Sequence, residues 1–173
     1  MNPVRKQTDQ CNFDQGNLQA SGSSTSYPGA VGTIALSSGK WYYEFRIDTY
    51  ATPGNDPMCG ICRKDYSSGG AGRIVYRAGG AYITSTPSEP TDPDAYGVGD
   101  IIGVAIDLDD AAGKIRFYKN GSLQPILANG DLDDVKSDLQ ISAVGGVYPY
   151  VQMYTNDVCT CLLYTSPSPR DDT

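Results

Sequence analysis

Apolar and polar positions alternate with a period of two along much of this chain, most clearly from Asp100 to Gly121, DIIGVAIDLDDAAGKIRFYKNG. Ile102, Val104, Ile106 and Leu108 fall on one face of an extended segment, and Ile101, Gly103, Ala105 and Asp107 on the other. A second run puts Ile115 and Phe117 opposite Arg116 and Tyr118. The polar residues 109–113 supply a turn between the runs, and Asn120-Gly121 tolerates the left-handed backbone of a type I′ hairpin turn. The pattern predicts three consecutive antiparallel strands.

The same alternation recurs at Lys40 to Ile47, where Trp41, Tyr43, Phe45 and Ile47 share a face expected to be core, with Tyr42, Glu44 and Arg46 on the other. Further strands are expected at 11–13 and 17–20 as edges, at Gly32 to Leu36, and at Met58 to Arg63. Arg73 to Ala78 and Ala81 to Thr84 read as a hairpin around Gly79-Gly80. One helical turn is expected at Leu132 to Val135, and a last alternating strand at Val147 to Thr155, where Pro149 points to an edge or a bulge.

Composition agrees with an all-β chain. Tyrosine stands at 13 and glycine at 20 of 173 residues, whereas helix-forming runs are scarce. A chain of this length is expected to be one domain and to bury roughly 70% of its unfolded surface, enough for two packed layers. The formal charge of −7 and a pI near 4.4 argue against nucleic acid or an anionic membrane as partner. No apolar stretch reaches the roughly 18 residues that insert in a bilayer, and the start, MNPVRKQTDQ, lacks a signal peptide's apolar core. A soluble chain is expected. Five cysteines at irregular spacing do not suggest a disulfide framework, so a reducing cytoplasm is the simplest fit.

The usual catalytic and metal constellations fail on residue type or spacing. With histidine at 0, Ser-His-Asp and Cys-His nucleophile systems are absent, and the only glutamates, Glu44 and Glu89, lie in unrelated segments. Asp107, Asp109 and Asp110 superficially match a calcium loop, but an EF-hand would place Asp or Asn at Ala111 and Glu at Tyr118, so a turn is expected. Cys59 and Cys62 stand three apart on a strand and therefore on opposite faces. With Cys159 they read as buried thiols rather than zinc ligands. Gly69, Gly70 and Gly72 precede neither a helix nor a Lys-Ser/Thr pair, so they do not make a phosphate loop. No cofactor and no metal is expected.

Three segments, SGKWYYEF at 38–45, YGVGDIIGVAIDLDD at 96–110 and GKIRFYKNG at 113–121, together resemble in order and spacing the signature of SPRY domains. The texture is most similar to SPRY-containing proteins of bacteriophages and bacteria. The resemblance implies a bent antiparallel β-sandwich of two sheets, similar to the concanavalin-like jelly roll, with recognition loops at one rim. It implies a non-catalytic module that binds a protein or peptide, in the cytoplasm or within a virion or tail. A cell-surface glycan or a structural appendage role is the alternative. The expected contact loops are Tyr50 to Pro57, Lys64 to Gly72 and Ser85 to Tyr96, presenting Tyr50, Asn55, Asp56, Tyr66 and Tyr96 as exposed contacts. The end departs from the family: residues 161–173, CLLYTSPSPRDDT, resemble a translated sequencing-adapter read-through. The expected division is therefore a domain at 1–160, lacking its final strand, and a non-native tail at 161–173.

Overall fold

In the computed structural model the alternating segments become strands of two antiparallel sheets; residues 5–6, 10–51, 54–66, 72–83, 93–125, 135–141 and 145–162 are described. The strands are β1 Arg5–Lys6, β2 Cys11–Asp14, β3 Gln19–Gly22, β4 Gly29–Val31, β5 Lys40–Thr49, β6 Met58–Arg63 and β7 Arg73–Arg77. They continue with β8 Ala81–Ile83, β9 Ile101–Asp107, β10 Lys114–Lys119, β11 Ser122–Leu123, β12 Val147–Gln152 and β13 Val158–Leu162. One sheet has the order β1-β4-β12-β6-β7-β8, the other β11-β10-β9-β5-β13-β3-β2. Helix is limited to a 3-10 turn at Gln15–Asn17 and α1 at Val135–Asp138 among the described residues. Of the turn expected at 132–135, residues 132–134 lie outside them.

The inner faces of the sheets form the core. The register opposes Phe45 to Ile102 and Tyr43 to Val104, so the alternating apolar sets of β5 and β9 lie side by side on one inner face. Phe117 and Ile115 extend that face across β10. Ile61, Ile74, Tyr76, Val147 and Val151 come from the other sheet to the same core. Each large apolar side chain buried in this way contributes roughly 1.5–3 kcal/mol relative to exposure. Cys59 joins this core whereas Cys62 joins a second cluster, with Met58, Tyr66, Val75 and Tyr150, on the outward face of the six-stranded sheet. The two thiols thus face opposite ways, as their spacing requires.

Three strand expectations need correction. Trp41 is 41% exposed. It stands near the start of the ten-residue β5 at the end of the sandwich, and its indole N–H donates to Ser38 O at 2.7 Å, which holds the ring across the preceding turn. The strand expected at 32–36 lies at Gly29–Val31 instead, and only an isolated bridge from Leu36 to Val147 follows it. Pro149 supplies the reason. Gly32 N donates to Pro149 O at 2.7 Å, but proline has no N–H to return the bond, so the ladder ends there. Pro149 consequently sits inside a sheet, not at an edge: β12 lies between β4 and β6, and the missing donor faces the point where β4 stops.

The turns follow the sequence closely. Asn120 and Gly121 have φ of 50° and 80°, as a type I′ turn needs. The Asp107 carboxylate accepts from Asp109 N at 3.0 Å and Asp110 N at 3.1 Å, and that of Asp110 accepts from Ala112 N at 3.0 Å. These aspartates build the turn they belong to. The boundary expected at 160 falls within β13, whose Cys161 and Leu162 pair with Phe45 and Glu44. Residues 163–173 lie outside the described ones.

Strand directions define two rims. The described parts of the connections at 23–28, 50–57, 78–80, 93–100 and 153–157 meet at one rim, and those of 32–39, 64–72 and 108–113 at the other, residues 52–53 and 67–71 lying outside the described ones. On the outer face of the seven-stranded sheet, Asp48 ties three strands together. It receives hydrogen bonds from Gln19 Nε2 at 3.1 Å, Arg46 Nε at 2.6 Å and the Thr160 hydroxyl.

Phe117→Ala, which empties a fully buried position, is expected to cost about 3–5 kcal/mol, read as a lower denaturant midpoint at unchanged m-value. A pH dependence follows from three carboxyls. Burial alone would raise Asp48, but its bonds from Thr160, Arg46 and Gln19 outweigh this and hold it below the usual aspartate range. Asp100 and Asp107 are lowered in the same sense, against a desolvation effect, by Asn120, Gly97 and Lys119 and by Lys40 and the turn N–H groups. A depressed folded pKa gives stability that is complete above the unfolded value of about 3.9 and lost as pH falls through the lower folded value. Denaturant melts between pH 6 and pH 2 should show this loss concentrated below about pH 4, and Asp48→Asn should diminish it.

Candidate functional site

The rim that carries 23–28, 50–57 and 153–157 is built on buried polar groups. Leaving β5, the chain places Tyr50 so that its hydroxyl donates to the Asp56 carboxylate and accepts from Gly54 N at 3.0 Å. Asp56 is 4% exposed, and Arg77 at the end of β7 donates to it from Nη2 at 2.6 Å and from Nε at 3.1 Å. A Cβ at Gly79 would come within 2.5 Å of Asp56 Oδ2, so the glycine leaves room for the carboxylate. Asp157, fully buried, accepts from Ala51 N at 2.9 Å and Tyr154 N at 2.8 Å and joins the 50–57 and 153–157 connections. Tyr96 closes the set from below, its hydroxyl lying 2.8 Å from the carbonyls of both Pro57 and Tyr76.

Above this layer sit partly exposed groups. Tyr27 and Tyr154 pack with ring centroids 5.1 Å apart, and the Tyr27 hydroxyl donates to Asn55 Oδ1 at 2.8 Å. Burial raises the pKa of Tyr27, opposed by the nearby Arg77 cation, so the hydroxyl stays a neutral donor near neutral pH. Burial and the hydrogen bond to Asp56 raise Tyr50 similarly. Burial also lifts the Asp157 carboxyl above the usual range; the two N–H groups oppose this, and the neighbouring Asp56 charge adds to it. The chemistry offered is recognition through amphipathic rings and hydrogen-bonding amides on a rigid base.

The sequence-derived residues divide. Tyr50, Asn55, Asp56 and Tyr96 do converge on this rim, but Asp56 and Tyr96 are buried, at 4% each, and support the surface in place of forming it. The physical reason is that a carboxylate with an arginine partner and a hydroxyl with carbonyl partners can be buried without losing hydrogen bonds. Tyr66 is 6% exposed, belongs to the connection at the opposite rim, and packs edge to face on Tyr150 with ring centroids 5.4 Å apart; it is neither an exposed contact nor a neighbour of the other four. Loop 64–72 follows β6 whereas loop 50–57 precedes it, so the two occupy opposite ends of one strand. Of the long loop at 85–96, residues 85–92 lie outside the described ones, and 93–96 reach the rim.

Sequence reasoning missed Tyr27, Tyr154 and Arg77. Tyr27 stood in a Ser/Thr-rich stretch before Pro28, a turn signal with an aromatic inside it, while Tyr154 and Arg77 were absorbed into strand patterns.

The two-sheet antiparallel sandwich thus gathers tyrosine and amide groups from several connections at one end. The chain belongs to the SPRY domain family, whose model matches residues 40–166. It is similar to the crystal structure of the SPRY domain of human HERC1, with a TM-score of 0.72 and 18% identity over 91% of this chain and 94% of that one. A second crystal structure, of a human SPRY domain, aligns with a TM-score of 0.66 and 19% identity over 92% and 98% of the two chains. No curated protein matches. SPRY domains are in general protein-interaction modules and typically non-catalytic. No helix among the described residues is long and apolar enough to cross a membrane.

Asp56→Ala leaves Arg77, whose side chain is 35% exposed, without its carboxylate. It is expected to destabilise by about 1–3 kcal/mol, toward the lower figure because solvent screens the guanidinium. Gly79→Ala should act in the same direction by displacing the carboxylate. Thermal melts of both variants check this, and hydrogen exchange should report faster opening at 50–57 than in the sheets.

Proposed function

We propose that this chain is a non-catalytic recognition domain that binds a protein or peptide through the rim formed by 23–28, 50–57 and 153–157. The observation that supports this reading is the division of labour at that rim. Asp56, Arg77, Asp157, Tyr50 and Tyr96 spend their hydrogen bonds on fixing the loops. Tyr27, Asn55 and Tyr154 are carried above them, partly exposed. A rim preorganised in this way loses little conformational freedom on binding, and tyrosine adds large contact area with only two side-chain torsions.

Selection of peptides from a displayed random library against the domain tests the reading. Peptides enriched on the wild-type chain should bind Tyr27→Ala and Tyr154→Ala at least about tenfold more weakly, a typical effect for a central interface aromatic. Loss of binding should come without loss of fold by circular dichroism. Equal binding to both variants would remove the rim from the interface. A glycan array run in parallel separates the classes: saccharide binding sensitive to the same substitutions, with no peptide enriched, would overturn the peptide reading.

A further inference from the structure

The outward face of the six-stranded sheet carries a cation, Arg73, with no carboxylate partner among the described residues. The register β12–β6–β7 places Tyr150, Gly60 and Val75 in one row, Gln152, Met58 and Arg77 in the next, and Tyr148, Cys62 and Arg73 in a third, all on that face. From the third row Arg73 reaches back along the sheet. Its Nη1 donates to Gln152 Oε1, it hydrogen-bonds the Tyr150 hydroxyl, and its guanidinium carbon lies 5.4 Å from the centre of the Tyr66 ring. All three partners are neutral. Arg46, Arg63 and Arg77, by contrast, each have a carboxylate within 3.0 Å. Arg73 is partly buried, and its Nε is shielded from solvent with no acceptor among the described residues.

A partly buried guanidinium without an anion is less favourable than a paired one, and a carboxylate is the group whose two oxygens match its donors. Gln152 connects this point to the rim, since its Nε2 donates to Tyr27 O at 2.7 Å. A peptide lying on Tyr27 can therefore continue along the sheet toward Arg73.

We infer that Arg73 is a carboxylate-recognition point for an acidic side chain of a bound peptide, on a surface continuous with the rim. This rests on the proposed rim function and names the partner's chemistry. The guanidinium plane, fixed by Tyr66 and Gln152, meets the partner's carboxylate in one orientation. Its charge complements an acidic residue, whereas the −7 of the whole chain would repel an acidic peptide elsewhere on the surface.

The test is an NMR titration of the intact chain, following the Arg73 Nε–Hε resonance, assigned by its disappearance in Arg73→Lys. The probes are the acetylated, amidated tripeptide Gly-Glu-Gly and its neutral counterpart Gly-Gln-Gly. The Glu peptide should shift the resonance saturably and the Gln peptide should not, and added salt should weaken the shift. An unmoved resonance, or equal shifts with both peptides, overturns the inference. Peptides selected on the wild-type domain provide a second readout: Arg73→Gln should weaken those containing Glu or Asp about tenfold or more and leave neutral ones unchanged. If Tyr27→Ala abolishes peptide binding while Arg73→Gln does nothing, the Arg73 inference fails and the rim reading stands. If Tyr27→Ala binds peptide normally while Arg73→Gln weakens the acidic peptides and the Glu tripeptide still titrates Arg73, the rim reading fails instead.

Discussion

The pairing of β5 with β9 is the constraint on which the rest depends. These strands are separated by more than fifty residues in the chain, and their register aligns two apolar alternations on one inner face. A slip of one residue would turn the apolar set of one of the two strands, Phe45 and Ile47 or Ile102 and Val104, away from the core. Because that error is so costly, the register is strongly specified. The same register determines which way the chain leaves each strand, and so where every connection emerges. The rim inherits its geometry from the core.

The rim at 23–28, 50–57 and 153–157 is made in two layers that obey different rules. The lower layer is polar and buried, which is tolerated because its carboxylates and hydroxyls are satisfied: Asp56 by Arg77 and Tyr50, Asp157 by two backbone N–H groups, Tyr96 by two carbonyls. The upper layer is aromatic and amide-bearing and partly exposed, with Tyr27 hydrogen-bonded to Asn55 and packed on Tyr154. Such an arrangement lets one scaffold keep its loops rigid while its specificity changes through a few side chains. The outward face of the six-stranded sheet adds a third region with its own small apolar cluster and a cation held by neutral groups.

Much of the fold was legible because period-two alternation reports burial directly. β6 was expected at Met58 to Arg63 and lies there, the β7–β8 hairpin turns at 78–80, and the Asp107–Asp110 aspartates form a turn. Failures came where two elements interact. β4 stops at Val31 because Pro149, more than a hundred residues away, cannot return a hydrogen bond. Trp41 keeps the inward phase of its strand but stands near its end, where it is 41% exposed. Nothing in the local pattern of either segment carries that information.

The candidate site shows the same boundary more sharply. By itself the sequence determined the alternating strands, the family signature and the lack of a histidine for a nucleophile system, since these follow from residue identity and local periodicity; the two-sheet architecture was what the resemblance to that family implied. It also singled out Tyr50, Asn55, Asp56 and Tyr96, which do share one rim. Only the tertiary structure decided that Tyr66 belongs to the other rim, that Asp56 and Tyr96 lie beneath the surface, and that Tyr27, Arg77 and Tyr154 join them. Burial and proximity among loops depend on strand order and direction, and those are properties of long-range pairing that no single loop encodes.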